Sequence, residues 1–110
     1  MAYDEKLAAR VTIAVGQDAR VETRRMFGGL CFLINGNMAF GVEGKRLVVR
    51  VGPEAHAAAL KLKGARPMDF TGKPLKGFVY VSAEAVRTAV GLRKWLKKGF
   101  EFAGKLKSKR

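Results

Sequence analysis

The sequence predicts an α+β domain of two layers: an antiparallel sheet of five to six strands with helices packed on one face, in the order α-β-β-β-β-α-β-β-α. Three observations predict it. Between Met26 and Val51, three runs rich in Val, Ile, Leu and Phe are separated by Asn35-Gly36 and Glu43-Gly44, dipeptides that accept the positive φ of tight hairpin turns. Apolar residues recur at helical spacing near both ends of the chain. At 110 residues the chain is one domain on size grounds, large enough to bury roughly 65% of its unfolded surface around a single core.

An apolar fraction of 48% with 28% charged residues fits a soluble globular protein, and no run of about 18 apolar residues is present to span a bilayer. The amino terminus, MAYDEKLAAR, lacks the regions of a signal peptide. One cysteine forms no internal disulfide, which makes the cytoplasm the expected compartment. The net charge is +13 and unevenly spread: residues 56–110 carry 14 Lys+Arg against 3 Asp+Glu, residues 1–55 only 8 against 6. Such asymmetry suits nucleic acid, an anionic membrane surface or an acidic protein partner, and it also suits solubility alone.

The first helix is expected from about Asp4 to Val15, with Leu7, Val11 and Ala14 on one face, Lys6 and Arg10 on another, and Gly16 at its end. Val21 to Met26 reads as a strand, and Phe27-Gly28-Gly29 leads into the meander. That glycine pair points to a bulge or a close backbone approach, since a phosphate cradle needs a helix, not a strand, to follow. Two-residue loops predict the pairs Leu33–Met38, Cys31–Phe40, Phe40–Leu47 and Met38–Val49 on one wholly apolar, core-facing side. The other side then holds Leu30, Phe32 and Ile34 with Gly41, Ala39 and Asn37, and the last strand of the meander adds Arg46, Val48 and Arg50. Leu30, Phe32, Ile34 and Val48, edged by Arg46 and Arg50, are therefore the candidate interaction face. An apolar strip of this kind needs a cover. The cover is either the first helix or a second subunit across a two-fold axis, and the modest apolar arc of that helix favours a homodimer.

Gly52-Pro53-Glu54 begins a second helix that runs to about Lys63. It carries the only histidine, His56, among alanines; without Cys, Asp or Glu at ligand spacing, His56 reads as a surface or packing residue rather than a metal ligand or base. After Gly64 come strands at Arg66 to Phe70 and Gly77 to Val81, joined through the turn-rich Thr71-Gly72-Lys73-Pro74. Ser82 caps a further helical segment with Glu84 in its first turn, and Gly91 marks a break. From Leu92 onward, at about 100° per residue, Trp95, Leu96, Gly99, Phe102, Ala103 and Leu106 share one arc, while Arg93, Lys94, Lys97, Lys98, Glu101 and Lys105 share the opposite one. The apolar arc is expected to pack on the sheet. Arg93, Lys94, Lys97, Lys98 and Lys105 are the candidate anion or nucleic-acid contacts, against the plainer account that they face water. Residues 1–104 then form the domain, and residues 105–110 a basic, frayed tail.

Nothing in the sequence assembles a catalytic site. Cys31 lies within an apolar strand on the expected core side, where thiols are inert packing residues, and His56 stands on a different element. Nine acidic residues, mostly scattered singly, suggest neither a two-carboxylate site nor a metal cluster. Asp69, between Met68 and Phe70, is the remaining single candidate, with a turn-stabilising carboxylate as the plainer account. No glycine-rich loop opens a helix after a strand to hold a nucleotide cofactor. The expectation is no enzyme, no cofactor, no metal and no small-molecule substrate.

The run RMFGGLCFLINGNMAFGV, then VRVGPE, then ARPMDFTGKPLKGFVYV and the amphipathic carboxy-terminal helix with its tryptophan together resemble the TfoX amino-terminal domain family, named from the TfoX regulators of bacterial natural competence. The resemblance covers nearly the whole chain and rests on Met26-Phe27-Gly28-Gly29, Asn35-Gly36-Asn37-Met38, Gly52-Pro53 and Met68-Asp69-Phe70. It implies a two-layer α/β domain with an antiparallel sheet. Full regulators of this kind carry a second, carboxy-terminal domain for which 110 residues leave no room, so a short single-domain member is expected. The expected function is a small cytoplasmic, non-enzymatic regulatory or adaptor domain acting by protein–protein interaction. A nucleic-acid-binding module on the basic helix is the alternative, and an enzyme around Asp69 or Cys31 a distant third. Single-strand binders interleave exposed aromatic platforms with basic residues, and here the aromatics of the last helix fall on its buried arc.

Overall fold

The computed structural model describes residues 3–26, 28–69, 72 and 74–109. Its elements run α1 (Glu5–Val15), β1 (Val21–Met26), β2 (Gly29–Ile34), β3 (Asn37–Glu43), β4 (Arg46–Arg50), α2 (His56–Leu60), β5 (Ala65–Asp69), β6 (Pro74–Val81) and α3 (Ala89–Lys105). The strands form one antiparallel sheet in the order β1-β2-β3-β4-β6-β5. Leu7 and Val11 of α1, Ala59 of α2 and Trp95 and Ala103 of α3 share one core with Phe40, Leu47, Val49, Val79 and Val81 of the sheet. All three helices therefore lie on one face. Architecture and element order are those the sequence predicts.

Caps fix the helix ends. The Asp4 side chain accepts the N–H groups of Lys6 at 2.8 Å and Leu7 at 3.1 Å, satisfying donors that the first turn of α1 leaves unpaired. Arg10 then donates to the carbonyls of Val86 at 2.8 Å and Arg87 at 3.0 Å, tying α1 to the segment that leads into α3. Thr88 caps α3 by accepting the Gly91 N–H at 3.0 Å, so Gly91 belongs to the first turn and marks no break. Ser82 accepts the Ala85 N–H at 3.3 Å, yet residues 83–88 form turns rather than the expected helix. The second helix is also shorter than expected, five residues instead of a run to Lys63. Its N-cap is Ala55, which offers no oxygen to the first turn, and Ala59 is its only buried residue, so little apolar stripe holds a longer helix in place. The expected strand to Phe70 becomes Ala65–Asp69, Phe70 itself lying outside the described residues, and β6 starts at Pro74, earlier than Gly77.

The meander corrects the expected register, and the correction changes which residues face the helices. The first hairpin begins as predicted, with Asn35 at φ 52° and Gly36 at φ 84° in the turn and Leu33 opposite Met38. The next pair is Phe32 with Phe40, not Cys31 with Phe40, because Ala39 is an extra residue in β3. A bulge of one residue exchanges the two faces of a strand relative to its partner. Phe32 thus joins Phe40 on the helix side, ring centroids 5.5 Å apart, and Ile34 is fully buried there as well. Cys31, Leu33 and Met38, expected in that core, lie on the opposite face. In the second hairpin the loop is Gly44-Lys45 rather than Glu43-Gly44, so Phe40 pairs with Val49 instead of Leu47. That shift of two residues leaves the faces unchanged.

The candidate interaction face is therefore divided. Leu30, Phe32 and Ile34 point to the helix-side core, while Arg46, Val48 and Arg50 stand on the helix-free face. The apolar strip that needed a cover does not form, and with it goes the ground for a homodimer. Cys31, Leu33, Val48, Met68 and Tyr80 on the helix-free face are each at most 7% exposed although no helix lies over them. Arg46 covers Tyr80, its guanidinium carbon 3.4 Å from the ring centroid, and Arg50 lies 5.4 Å from the Phe78 ring and 5.3 Å from the Phe102 ring. The tail residues up to Lys109 lie against the first hairpin. Asn37, the buried polar residue at the start of β3, donates from Nδ2 to the Lys107 carbonyl at 3.0 Å, and the Lys109 N–H donates to the Asn35 carbonyl at 2.8 Å.

Candidate functional site

The basic residues singled out in the sequence come together on α3. Leu92, Trp95, Leu96, Gly99 and Ala103 turn inward and fix this helix to the sheet, which leaves Arg93, Lys94, Lys97, Lys98 and Lys105 exposed on its outer side, interrupted by exposed Glu101. A helix of 17 residues is about 25 Å long, so the ridge is a rigid, extended surface. Lys105 in the last turn also faces the negative end of the helix dipole. Among the described residues the ion pairs are Arg20–Asp18 at 2.8 Å, Arg24–Glu22 at 3.4 Å and Arg46–Glu43 at 2.7 Å, all on the strands and the loop before them. The cations of α3 take no part in them. The aromatic residues of α3 are largely packed away beneath the cations: Trp95 is buried with Lys98 Nζ 5.9 Å from its ring centroid, and Phe100 and Phe102 are half-buried, Phe100 beneath the Arg20 guanidinium at 5.0 Å.

Beside the ridge runs a groove of about 580 Å³ between α3 and the α2 segment. Phe102, Leu106, Val51, Ala58 and Leu62 give it an apolar lining, and Leu62 is 42% exposed. Lys98 and Lys105 stand on its rim together with Glu54 and Glu101. The rim is thus electrically even, and the excess positive charge comes from Arg93, Lys94 and Lys97 on the rest of the ridge. Sequence periodicity places the cations but not the groove, which depends on how the short α2 and its turns sit against the end of α3.

The candidates for chemistry stay apart. Cys31 is buried on the helix-free face, and burial, reinforced by the Glu43 carboxylate, holds its thiol above the usual range, which disfavours the reactive thiolate. His56 belongs to α2 on the other side of the sheet, where its Nε2 is buried without a hydrogen-bond partner. Asp69 ends β5 as an exposed residue opposite Pro74. No group of three or more His, Cys, Asp or Glu side chains converges among the described residues. Among those residues no helix is long and apolar enough to cross a membrane.

The family model for the TfoX N-terminal domain matches residues 15–103, from the end of α1 to the last turn of α3. No curated protein and no solved structure matches the chain.

Proposed function

The chain belongs to the TfoX N-terminal domain family, a family of competence-related regulatory domains, and from that premise we propose that it is a cytoplasmic, non-enzymatic adaptor that docks an acidic, amphipathic segment of a partner protein along α3. One observation carries this reading: the basic ridge and the apolar groove lie side by side on the same helix. The apolar stripe of an amphipathic segment would fill the groove over Phe102, Leu106 and Leu62, and its acidic side would lie against Arg93, Lys94 and Lys97. The excess of positive charge along the ridge favours encounter with an acidic surface over a second copy of this chain, which carries the same net +13.

Nucleic acid on the same ridge is the alternative, supported by the five exposed cations alone. Phosphate contacts need no groove, and stacking of bases needs fully exposed rings, whereas those of α3 are buried or half-buried. The two readings part in an affinity capture from native lysate with and without nuclease. A retained acidic protein that survives nuclease supports the adaptor. Retention abolished by nuclease rejects it in favour of nucleic acid.

A further inference from the structure

Besides Met1 the chain has three methionines and one cysteine, and all four line one small cavity on the helix-free face of the sheet. Met26 comes from β1, Cys31 from β2, Met38 from β3 and Met68 from β5. In a flat sheet β1 and β5 would stand five strand spacings apart, about 24 Å. That both edge strands reach one cavity of about 20 Å³ means the sheet coils around this point and brings sulfur-bearing residues of four strands to its wall. The space is of the size of a single water or ion.

Gly41 leaves this space open: a β-carbon there would stand 3.0 Å from the Leu30 carbonyl oxygen and 3.5 Å from Cys31 Sγ, while Gly29, also in the lining, lets the backbone of β2 approach that of Val42. Val48 closes the floor. The one charged group in the lining, Glu43, is neutralised by Arg46 at 2.7 Å and accepts a hydrogen bond from the Tyr80 hydroxyl at 3.4 Å.

We propose that Met26, Cys31, Met38 and Met68 form a binding site for one soft monovalent metal ion of the Cu(I) class. Thiolate and thioether donors select such ions, whereas hard divalent ions want several oxygen donors, and the lining offers as side-chain oxygen only the engaged Glu43 beside the Met26 carbonyl that accepts from the Cys31 thiol at 4.0 Å. On binding, the Cys31 S–H bond breaks, an S–metal bond forms and the proton leaves to solvent; copper enters and remains as Cu(I), so nothing is oxidised or reduced. A thiolate and a monovalent cation together are neutral, and three thioethers add donors without charge. An apolar cavity therefore accepts the ion with no further counter-charge. The site lies on the face opposite the α3 groove, so its test and that of the adaptor reading are independent.

The experiment is an anaerobic titration of the full chain with Cu(I) against bicinchoninate as a coloured competitor, repeated on Cys31→Ser and on protein in which every methionine is replaced by norleucine. Norleucine keeps the shape of methionine and removes only the sulfur, so circular dichroism and the urea midpoint stay unchanged if the three methionines pack normally. The expected result is one Cu(I) taken from the competitor per chain. Affinity then falls by more than the roughly 100-fold that loss of an outer partner costs, both in Cys31→Ser and in the norleucine protein, because each removes direct ligands. Failure of the unmodified protein to take Cu(I) overturns the proposal. Equal affinity in the norleucine protein also overturns it, since the thiol alone would then hold the metal and the methionines would serve packing only.

Discussion

Gly99 of α3 sits directly on Ala39, the extra residue of the β3 bulge. A β-carbon at position 99 would collide with the Ala39 carbonyl oxygen and stand 3.0 Å from Cδ2 of Phe40. Helix and sheet therefore touch backbone to backbone at the point where β3 exchanges its faces, and the bulged Ala39 is fully buried there. The contact sets how closely α3, with its ridge and groove, lies on the sheet.

Gly99→Ala should accordingly destabilise the fold by about 1–3 kcal/mol, because the added methyl runs into the Ala39 backbone and the buried Phe40 ring. Gly104→Ala, on the same helix but with open space around its β-carbon, should stabilise by about 0.5–1 kcal/mol through helix propensity. Urea midpoints of the two variants check both signs. Equal effects at the two positions would remove the close approach from the account.

Phe32 tests the assignment of faces. Buried to 1% exposure between sheet and helices, it should cost about 3–5 kcal/mol as Phe32→Ala, and Phe32→Glu should not fold, since its charge would have no partner in the core. Arg50→Ala, on the helix-free face, removes its contacts with Phe78 and Phe102 and its 3.5 Å hydrogen bond to the Met38 carbonyl, and should stay folded with a loss of about 0.5–1.5 kcal/mol. Circular dichroism and thermal melts decide it. A well-folded Phe32→Glu protein would put β2 in the other register.

The contrast between the two hairpins explains what was legible in the sequence. Asn35-Gly36 marks its turn by residue type, and the amphipathic pattern from Leu92 to Leu106 places every cation of the ridge outward, because both signals are local. The bulge leaves no such trace. From Leu30 to Ile34 every residue is apolar, so alternation offers nothing to choose between two registers one residue apart, and only the fit of Ala39 under Gly99 selects one. In the Gly44-Lys45 hairpin the ion pair of Glu43 with Arg46 goes with a shift of two, which costs no face. The groove and the sulfur cavity were hidden for the same reason as the bulge: each joins residues from elements far apart in the chain.

Asp18 provides a titration with a defined sign. It accepts the backbone N–H of Arg20 at 2.9 Å and its guanidinium at 2.8 and 3.1 Å, and these bonds, the side-chain ones first, push its carboxyl down to about 2. A lowered carboxyl stabilises the fold at pH above the ordinary aspartate value of about 3.9, and that contribution disappears as pH falls through about 2. Carbon-detected NMR should therefore find Asp18 titrating near 2, and Arg20→Ala should raise it only part of the way to the ordinary range, because the backbone N–H of residue 20 still donates to it. An ordinary value in the unmodified protein would show that the pair does not persist in solution.

Joint action of ridge and groove on a protein partner is tested by affinity capture from nuclease-treated lysate with three forms of the chain. The unmodified protein should retain an acidic protein. A groove variant, Leu62→Asp, and a ridge variant, Lys94→Glu with Lys97→Glu and Lys98→Glu, should each lose it while remaining folded, since all four positions are exposed. Retention of the same proteins by the groove variant, or loss of every ligand on nuclease treatment, would contradict such joint action.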